Sequence, residues 1–356
     1  INSKGVIMKK ELLMGTALVS TLGAASVAEA VTATMSGNHQ TGLNFSSASS
    51  GTDSTSQVND NNFTVSLSET TDGGMTISSS FMLANEADSG SSSDMDAGFS
   101  LAFTDGSKLD VLNAGNASGS HDISIPSSAG GESVSIANTV SAPTGLDFTA
   151  GSTVYGIEYH TAADFLVDGL TMSFSASTDD DTASTSTYGM DSHVAFGGTY
   201  VTSAGDSTVT LGFGFSESEG AKTGDQFTND EGGYHVGLSA VTGDLTVAVG
   251  VAGGSSIEKT NTLQNEDGEY AAAGAKYVSG DLTFNVGFAS GTSKDSATAG
   301  TKDTTEDSED TVSASISYAV ASGVTAYLGY TDKDAEDDGS SATDGSAWYI
   351  GANMSF

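Results

Sequence analysis

A side-chain alternation of period two recurs along this sequence. In the run from Leu282 to Phe288 the large apolar residues Leu282, Phe284, Val286 and Phe288 are separated by Thr283, Asn285 and Gly287. Successive side chains of an extended chain point to opposite faces, whereas those of a helix return to one face only every third or fourth residue, so the run reads as a strand. The same alternation covers Phe63, Val65 and Leu67; Met95, Ala97, Phe99, Leu101 and Phe103; Val209, Leu211, Phe213 and Phe215; and Leu245, Val247, Val249 and Val251. The intervening face is mostly Gly, Ala, Ser and Thr, with few lysines or carboxylates. A soluble β-sandwich would put charged and bulky polar groups there, facing bulk water. Small polar side chains suit the water-filled interior of a closed sheet whose apolar face meets lipid.

Sixteen segments carry the pattern, near 31–45, 60–70, 75–85, 94–104, 107–113, 153–162, 169–178, 188–202, 207–217, 231–242, 244–255, 268–279, 281–291, 310–321, 324–332 and 345–356. Their connections alternate between tight turns, such as Asp105-Gly106, Gly243-Asp244, Gly280-Asp281 and Ser322-Gly323, and long stretches rich in Ser, Thr and Asp. An even strand number with short turns on one rim and long loops on the other outlines an all-β, transmembrane antiparallel barrel, which satisfies every backbone group in lipid without leaving an edge. Tyr155, Tyr159, Tyr200, Tyr277, Tyr318, Tyr330, Trp348 and Tyr349 fall near strand ends, where an interfacial aromatic girdle is expected.

Charge and composition narrow the function. The 356 residues contain 46 Asp and Glu against 10 basic residues, all lysine, for a formal charge of −36. With no arginine and no lysine cluster, the chain lacks the means to neutralise a phosphate backbone, which excludes nucleic acid as a partner. It has no cysteine, hence no thiolate metal site and no cysteine nucleophile. Near the N-terminus Lys9 and Lys10 precede an apolar run of about 14 residues, Leu12 to Ala25, followed by Ala28-Glu29-Ala30. A spanning helix needs roughly 20 residues, so 1–30 reads as a signal peptide for Sec export, with the residues before Met8 a mis-called start, and 31–356 as the barrel domain. Residues 1–30 carry Glu11 and Glu29 against Lys4, Lys9 and Lys10, so their removal takes the charge to −37.

The C-terminal strand, Trp348-Tyr-Ile350-Gly-Ala352-Asn-Met354-Ser-Phe356, alternates to a final aromatic residue, and the first strand begins Val31-Thr-Ala-Thr-Met-Ser-Gly37. Together these resemble the ends of Gram-negative outer-membrane general porins of the alphaproteobacterial type, over the whole mature chain. The segments Val154-Tyr-Gly-Ile-Glu-Tyr159 and Leu170-Thr-Met-Ser-Phe-Ser175 are similar to the strands that follow the constriction loop of that family. The resemblance implies a homotrimer in the cell outer membrane, contacting lipid and lipopolysaccharide. It also implies that Phe356 is read by the barrel-assembly machinery, and that the long third loop, about Ala114 to Ser152 with Pro126 and Pro143, folds into the lumen. The chain departs from the family in lacking the basic wall that faces the acidic loop. The alternation puts only Lys108 and Lys276 on the small-residue face, with His160, His193 and His235, so the lumen is expected to be net negative.

The implied function is passive diffusion of small hydrophilic solutes and ions, with a preference for cations. Candidate constriction and lumen residues are Asp122, Glu132 and Asp147 of the loop and Lys108, Asp110, Glu158, His160 and Lys276 of the strands. Enzymatic activity is not expected, because Glu158 with His160 and Lys108 with Asp110 have no closed substrate pocket beside them for acid–base work. No cofactor is implied. The acidic runs 179–181, 266–267, 306–310 and 332–338 are expected in extracellular loops. There Asp334, Glu336 and Asp338 offer hard oxygen ligands to Ca²⁺ or Mg²⁺, though the twelfth position counted from Asp334 is Gly345 instead of the Glu of an EF-hand. Two other readings stay open from sequence: a secreted, acidic β-rich surface or adhesion protein, and a non-porin outer-membrane barrel.

Overall fold

The computed structural model describes residues 31–48, 53–84, 98–112, 116–127, 156–178, 190–220, 222–223, 226–227, 229–258, 264–295, 306–336 and 344–356. The proposed signal peptide, Glu132, Asp147 and Asp338 lie outside them.

The strands are β1 (Thr32–Ala48), β2 (Ser54–Thr70), β3 (Thr76–Ala84), β4 (Phe99–Ala102), β5 (Lys108–Val111), β6 (Gly156–His160), β7 (Leu170–Thr178), β8 (Met190–Ala204) and β9 (Ser207–Gly220). A two-residue hairpin follows, β10 (Lys222–Thr223) with β11 (Gln226–Phe227). Then come β12 (Asn229–Thr242), β13 (Leu245–Glu258), β14 (Gln264–Ser279), β15 (Leu282–Asp295), β16 (Asp307–Ala321), β17 (Val324–Glu336) and β18 (Gly345–Ser355). Leaving out the small hairpin, sixteen strands form one closed antiparallel meander in which each pairs with its sequence neighbours and β1 closes on β18. Each of the seven connections on one rim holds a glycine at positive φ, and six of them, from Gly74 in the β2–β3 turn to Gly323 in the β16–β17 turn, are short, the exception being the β6–β7 connection that ends at Gly169. A reversal this tight needs left-handed backbone that side chains with a Cβ disfavour.

The register fixes the two faces, and their polarity is inverted relative to a soluble domain. Val194, Phe196, Phe215, Val236, Leu238, Val247, Val249, Val251, Phe284, Val286 and Phe288 all remain exposed on the outer wall. The buried side chains are largely polar, among them Gln40, Asn44, Ser173, His193, Ser216, Ser293 and Ser313. Among the described residues no helix is long and apolar enough to cross a membrane; the strands present the apolar surface.

Three sequence expectations change. Tyr349 belongs to no outer girdle: Trp348 and Ile350 point out at 51% and 53% exposure, so Tyr349 points in and is 2% exposed, with Gln40 Nε2 donating to its hydroxyl at 3.1 Å. Several acidic runs expected in loops are strand. Asp267 lies in β14, Asp307 to Asp310 in β16, and Asp334 and Glu336 in β17, where Asp334 pairs in register with Asp310. Asp334 and Glu336 end β17 on its outward face, and Asp338, the third ligand expected of a loop beginning at Asp334, lies outside the described residues. Finally, the extended β17 carries a further lysine to the inner face: Lys333 is buried and pairs with Glu309 at 2.5 Å.

Candidate functional site

The site is built where the segment after β5 meets the inner wall. Residues 116–127 include a single 3-10 turn, Gly119–His121. This segment packs on the wall through a row of glycines. Gly197 pairs with Gly214 in the β8–β9 register, Gly212 with Gly237 in β9–β12, Gly237 with Gly250 in β12–β13, and Gly274 with Gly287 in β14–β15. All lie between outward-pointing residues, so each faces the lumen. A Cβ built on Gly197 would come 2.5 Å from the Ala117 carbonyl oxygen, one on Gly237 2.6 Å from Ile123 Cβ, and one on Gly274 1.9 Å from the Pro126 carbonyl oxygen. Only a wall without side chains admits the segment at this distance. Residues 116–127, the described part of the connection after β5, therefore lie against the inward-facing glycines of the wall.

Polar contacts fix the segment at both ends of the 3-10 turn. The Ala117 N–H donates to Ser175 Oγ at 3.0 Å, and Ser120 Oγ donates to Glu158 Oε1 at 2.7 Å. His235 Nε2 lies 2.9 Å from both the Ser118 carbonyl oxygen and Asp122 Oδ1; both are acceptors, so Nε2 carries the proton. His121 sits between Thr199 Oγ1, 2.7 Å from Nδ1, and Ser173 Oγ, 2.8 Å from Nε2. Burial, with His160 and His235 nearby, pushes the His121 pKa down to about 4, against a smaller opposing effect of Asp122.

The wall beneath is charged. In the β5–β6 register Lys108 faces His160 and Asp110 faces Glu158. Lys108 Nζ reaches Asp110 Oδ2 at 2.8 Å; His160 Nε2 lies 2.9 Å from the same oxygen and 3.5 Å from Glu158 Oε1. On its other side His160 Nδ1 is 2.7 Å from Ser173 Oγ. A single hydrogen-bonded chain therefore runs from the Asp110 carboxylate through His160, Ser173 and His121 to Thr199, linking strand wall and loop. With Nε2–H of His160 donating to Asp110, the Ser173 hydroxyl donates to Nδ1 of His160, and His121 donates through Nε2 to Ser173.

The structure thus gathers four of the sequence candidates, Lys108, Asp110, Glu158 and His160, on adjacent strands of the inner wall, while Asp122 of the loop segment pairs with His235 of β12. Lys276 also faces inward, but opposite Thr246 and Asn285 near the β14–β15 turn, apart from the cluster. Sequence reasoning missed His121 and Ser120, which carried no signal beyond standing just before Asp122. Among the described residues one group, Asp110, Glu158 and His160, brings three potential metal-ligand atoms within 4.8 Å of one another; Asp334 and Glu336 form no such group.

Comparison with solved structures finds the same barrel. A trimeric form of OmpT, an outer-membrane protein of Vibrio cholerae, aligns with TM-score 0.66 at 14% identity, covering 92% of this chain and 100% of that one. The anion-selective porin of Comamonas acidovorans gives TM-score 0.66 at 12% identity, with 92% and 100% coverage. A mutant of the Rh. blastica porin gives 0.57 at 15%, with 91% and 100%. At these identities the likeness is one of fold. No curated protein matches by sequence. The sequence model described as Gram-negative porin matches residues 15–355, and with the closed barrel this shows that the chain belongs to the Gram-negative porins, channels of the outer membrane.

Proposed function

We propose that the protein is a passive, cation-preferring diffusion channel for small hydrophilic solutes and ions, acting as a homotrimer and exported by the Sec route through residues 1–30. The observation that carries this reading is the inverted polarity of the wall: apolar residues outward and a polar, net acidic interior narrowed by 116–127. Among the described residues, Asp110, Glu158, Glu231, Asp307 and Glu309 on the inner face, with Asp122 from the loop, outnumber Lys108, Lys276 and Lys333. Fixed negative charge on a wall of low dielectric raises the local concentration of cations and depletes anions. The anion-selective Comamonas porin shares the barrel, so the sign of selectivity follows these side chains and not the fold. Trimerisation rests on the trimeric Vibrio relative. No catalytic role is proposed for the His–carboxylate cluster.

Planar-bilayer recording of the purified protein under a KCl gradient tests this reading. Stepwise currents with a reversal potential on the potassium side are expected. Steps favouring chloride would overturn the charge argument, and a folded barrel without current would overturn the channel.

A further inference from the structure

We propose that Asp110, Glu158 and His160 form a binding site for a divalent transition-metal ion of the zinc type on the inner wall. The cluster sits where two carboxylates, Asp110 and Glu158, face each other directly in the β5–β6 register. Like charges in that position repel, and Glu158 is only 1% exposed. A buried carboxylate calls for a cation. Lys108 serves Asp110, at 2.8 Å, whereas Glu158 takes the uncharged Ser120 hydroxyl and lies 3.5 Å from His160 Nε2. With a neutral imidazole the group keeps one uncompensated negative charge in a site already shaped to receive a cation.

The geometry suits such an ion. Zinc bonds of about 2.0–2.2 Å at tetrahedral angles put ligand atoms roughly 3.3–3.5 Å apart. Here His160 Nε2 lies 2.9 Å from Asp110 Oδ2 and 3.5 Å from Glu158 Oε1. One imidazole with two carboxylates selects a borderline transition metal over Ca²⁺ or Mg²⁺, which take six or more oxygens. A ligating histidine needs its other ring nitrogen held by an outer partner, and Ser173 Oγ already stands 2.7 Å from Nδ1. Binding moves the His160 proton from Nε2 to Nδ1. Ser173 then accepts from His160 and donates to His121, which donates onward to Thr199, so no charge is left unpaired along the chain. Lys108, with its side chain 42% exposed, swings off Asp110 into the lumen. The fourth tetrahedral position opens to lumen water. The site stands independently of the sign of ion selectivity.

Calorimetric titration of Zn²⁺ into the chelator-treated, detergent-solubilised protein tests the proposal, with zinc-free bilayer currents scoring channel function separately. One ion per chain is expected above any weak background from the acidic loops. His160→Gln and Glu158→Gln should each weaken that step at least tenfold, and Ser173→Ala roughly tenfold. Lys108→Met removes the competing cation and should tighten binding. Because a wall variant can misfold, Co²⁺ substitution in the unaltered protein gives a second readout: intense visible absorption of a four-coordinate ion is expected. No stoichiometric step, a step unchanged in His160→Gln, or only the pale spectrum of an octahedral ion would each overturn the site.

Discussion

His121 joins loop to wall, and its protonation state follows from where it stands. The ring is 7% exposed, held between Thr199 and Ser173, with the charges of His160 and His235 acting against protonation and that of Asp122 for it. These surroundings favour the neutral form and lower the pKa from 6.5 to about 4. A histidine that is neutral when docked and free to protonate when released gives docking its full strength above pH 6.5. That strength falls as pH drops through the window to about 4, because the released state binds the extra proton. With screening by lumen water the loss is about 1–2 kcal/mol. The protection factors of the amides of residues 117–122, which take out the intrinsic slowing of exchange in acid, should fall about 5–30-fold between pH 7 and pH 4, and His121→Gln, which keeps a polar group but does not titrate there, should flatten the dependence. Equal protection factors at both pH values would show that the histidine does not hold the loop. None of this was legible in the sequence, since nothing in a one-dimensional pattern says that His121, Ser173 and His160, separated by tens of residues, line up.

Strands were far more legible than the way the loop seats on them. Where one face meets lipid, alternation of Val, Leu and Phe with small residues is forced, and the expected segments coincide with β6, β7, β9 and β13 to within a few residues. Beyond the lipid band the constraint lapses and both faces become polar, which is why the loop-side ends of β2, β14, β16 and β17 read as loop although they pair as strand. In the sequence the glycines of the inner wall stand only as small lumen residues; their use lies in the packing of Ile123, Ile125 and Pro126 on them. A residue with a branched Cβ at one of these positions must push the loop toward the barrel axis. Gly237→Val meets Ile123 at 2.6 Å and should cost about 1–3 kcal/mol as overpacking. Single-channel conductance should fall while the barrel still forms, as judged by its heat-modifiable migration. An unchanged conductance would mean that the segment does not narrow the pore.

At the scale of the whole molecule, the β1–β18 seam that closes the barrel runs on to Phe356. Phe356 exchanges backbone hydrogen bonds with Gly37, its N–H donating at 3.0 Å and its carbonyl accepting at 3.1 Å, and its ring lies 6.3 Å from that of Phe63. Phe356→Ala keeps the backbone pair but loses the ring; less protein should reach the heat-modifiable state, and an unchanged yield would argue against an assembly role. Charge, too, acts at this scale, through two populations that salt separates. Acidic residues at the loop rim, such as Asp332, Asp334 and Glu336, are exposed to bulk electrolyte. The Debye length there is about 10 Å at 0.1 M and about 3 Å at 1 M, so their pull on distant cations vanishes in concentrated salt. Asp110 and Glu158 stand on the inner wall beside residues 116–127, their side chains 19% and 1% exposed, where screening by electrolyte is incomplete. Cation preference should therefore decline between 0.1 M and 1 M KCl without disappearing, and Asp110→Asn with Glu158→Gln should remove most of what remains at 1 M. Neutralising the rim residues should instead matter only in dilute salt. If both sets of variants shift the reversal potential equally at 1 M, the inner wall does not set the selectivity, and the field of the whole acidic barrel does.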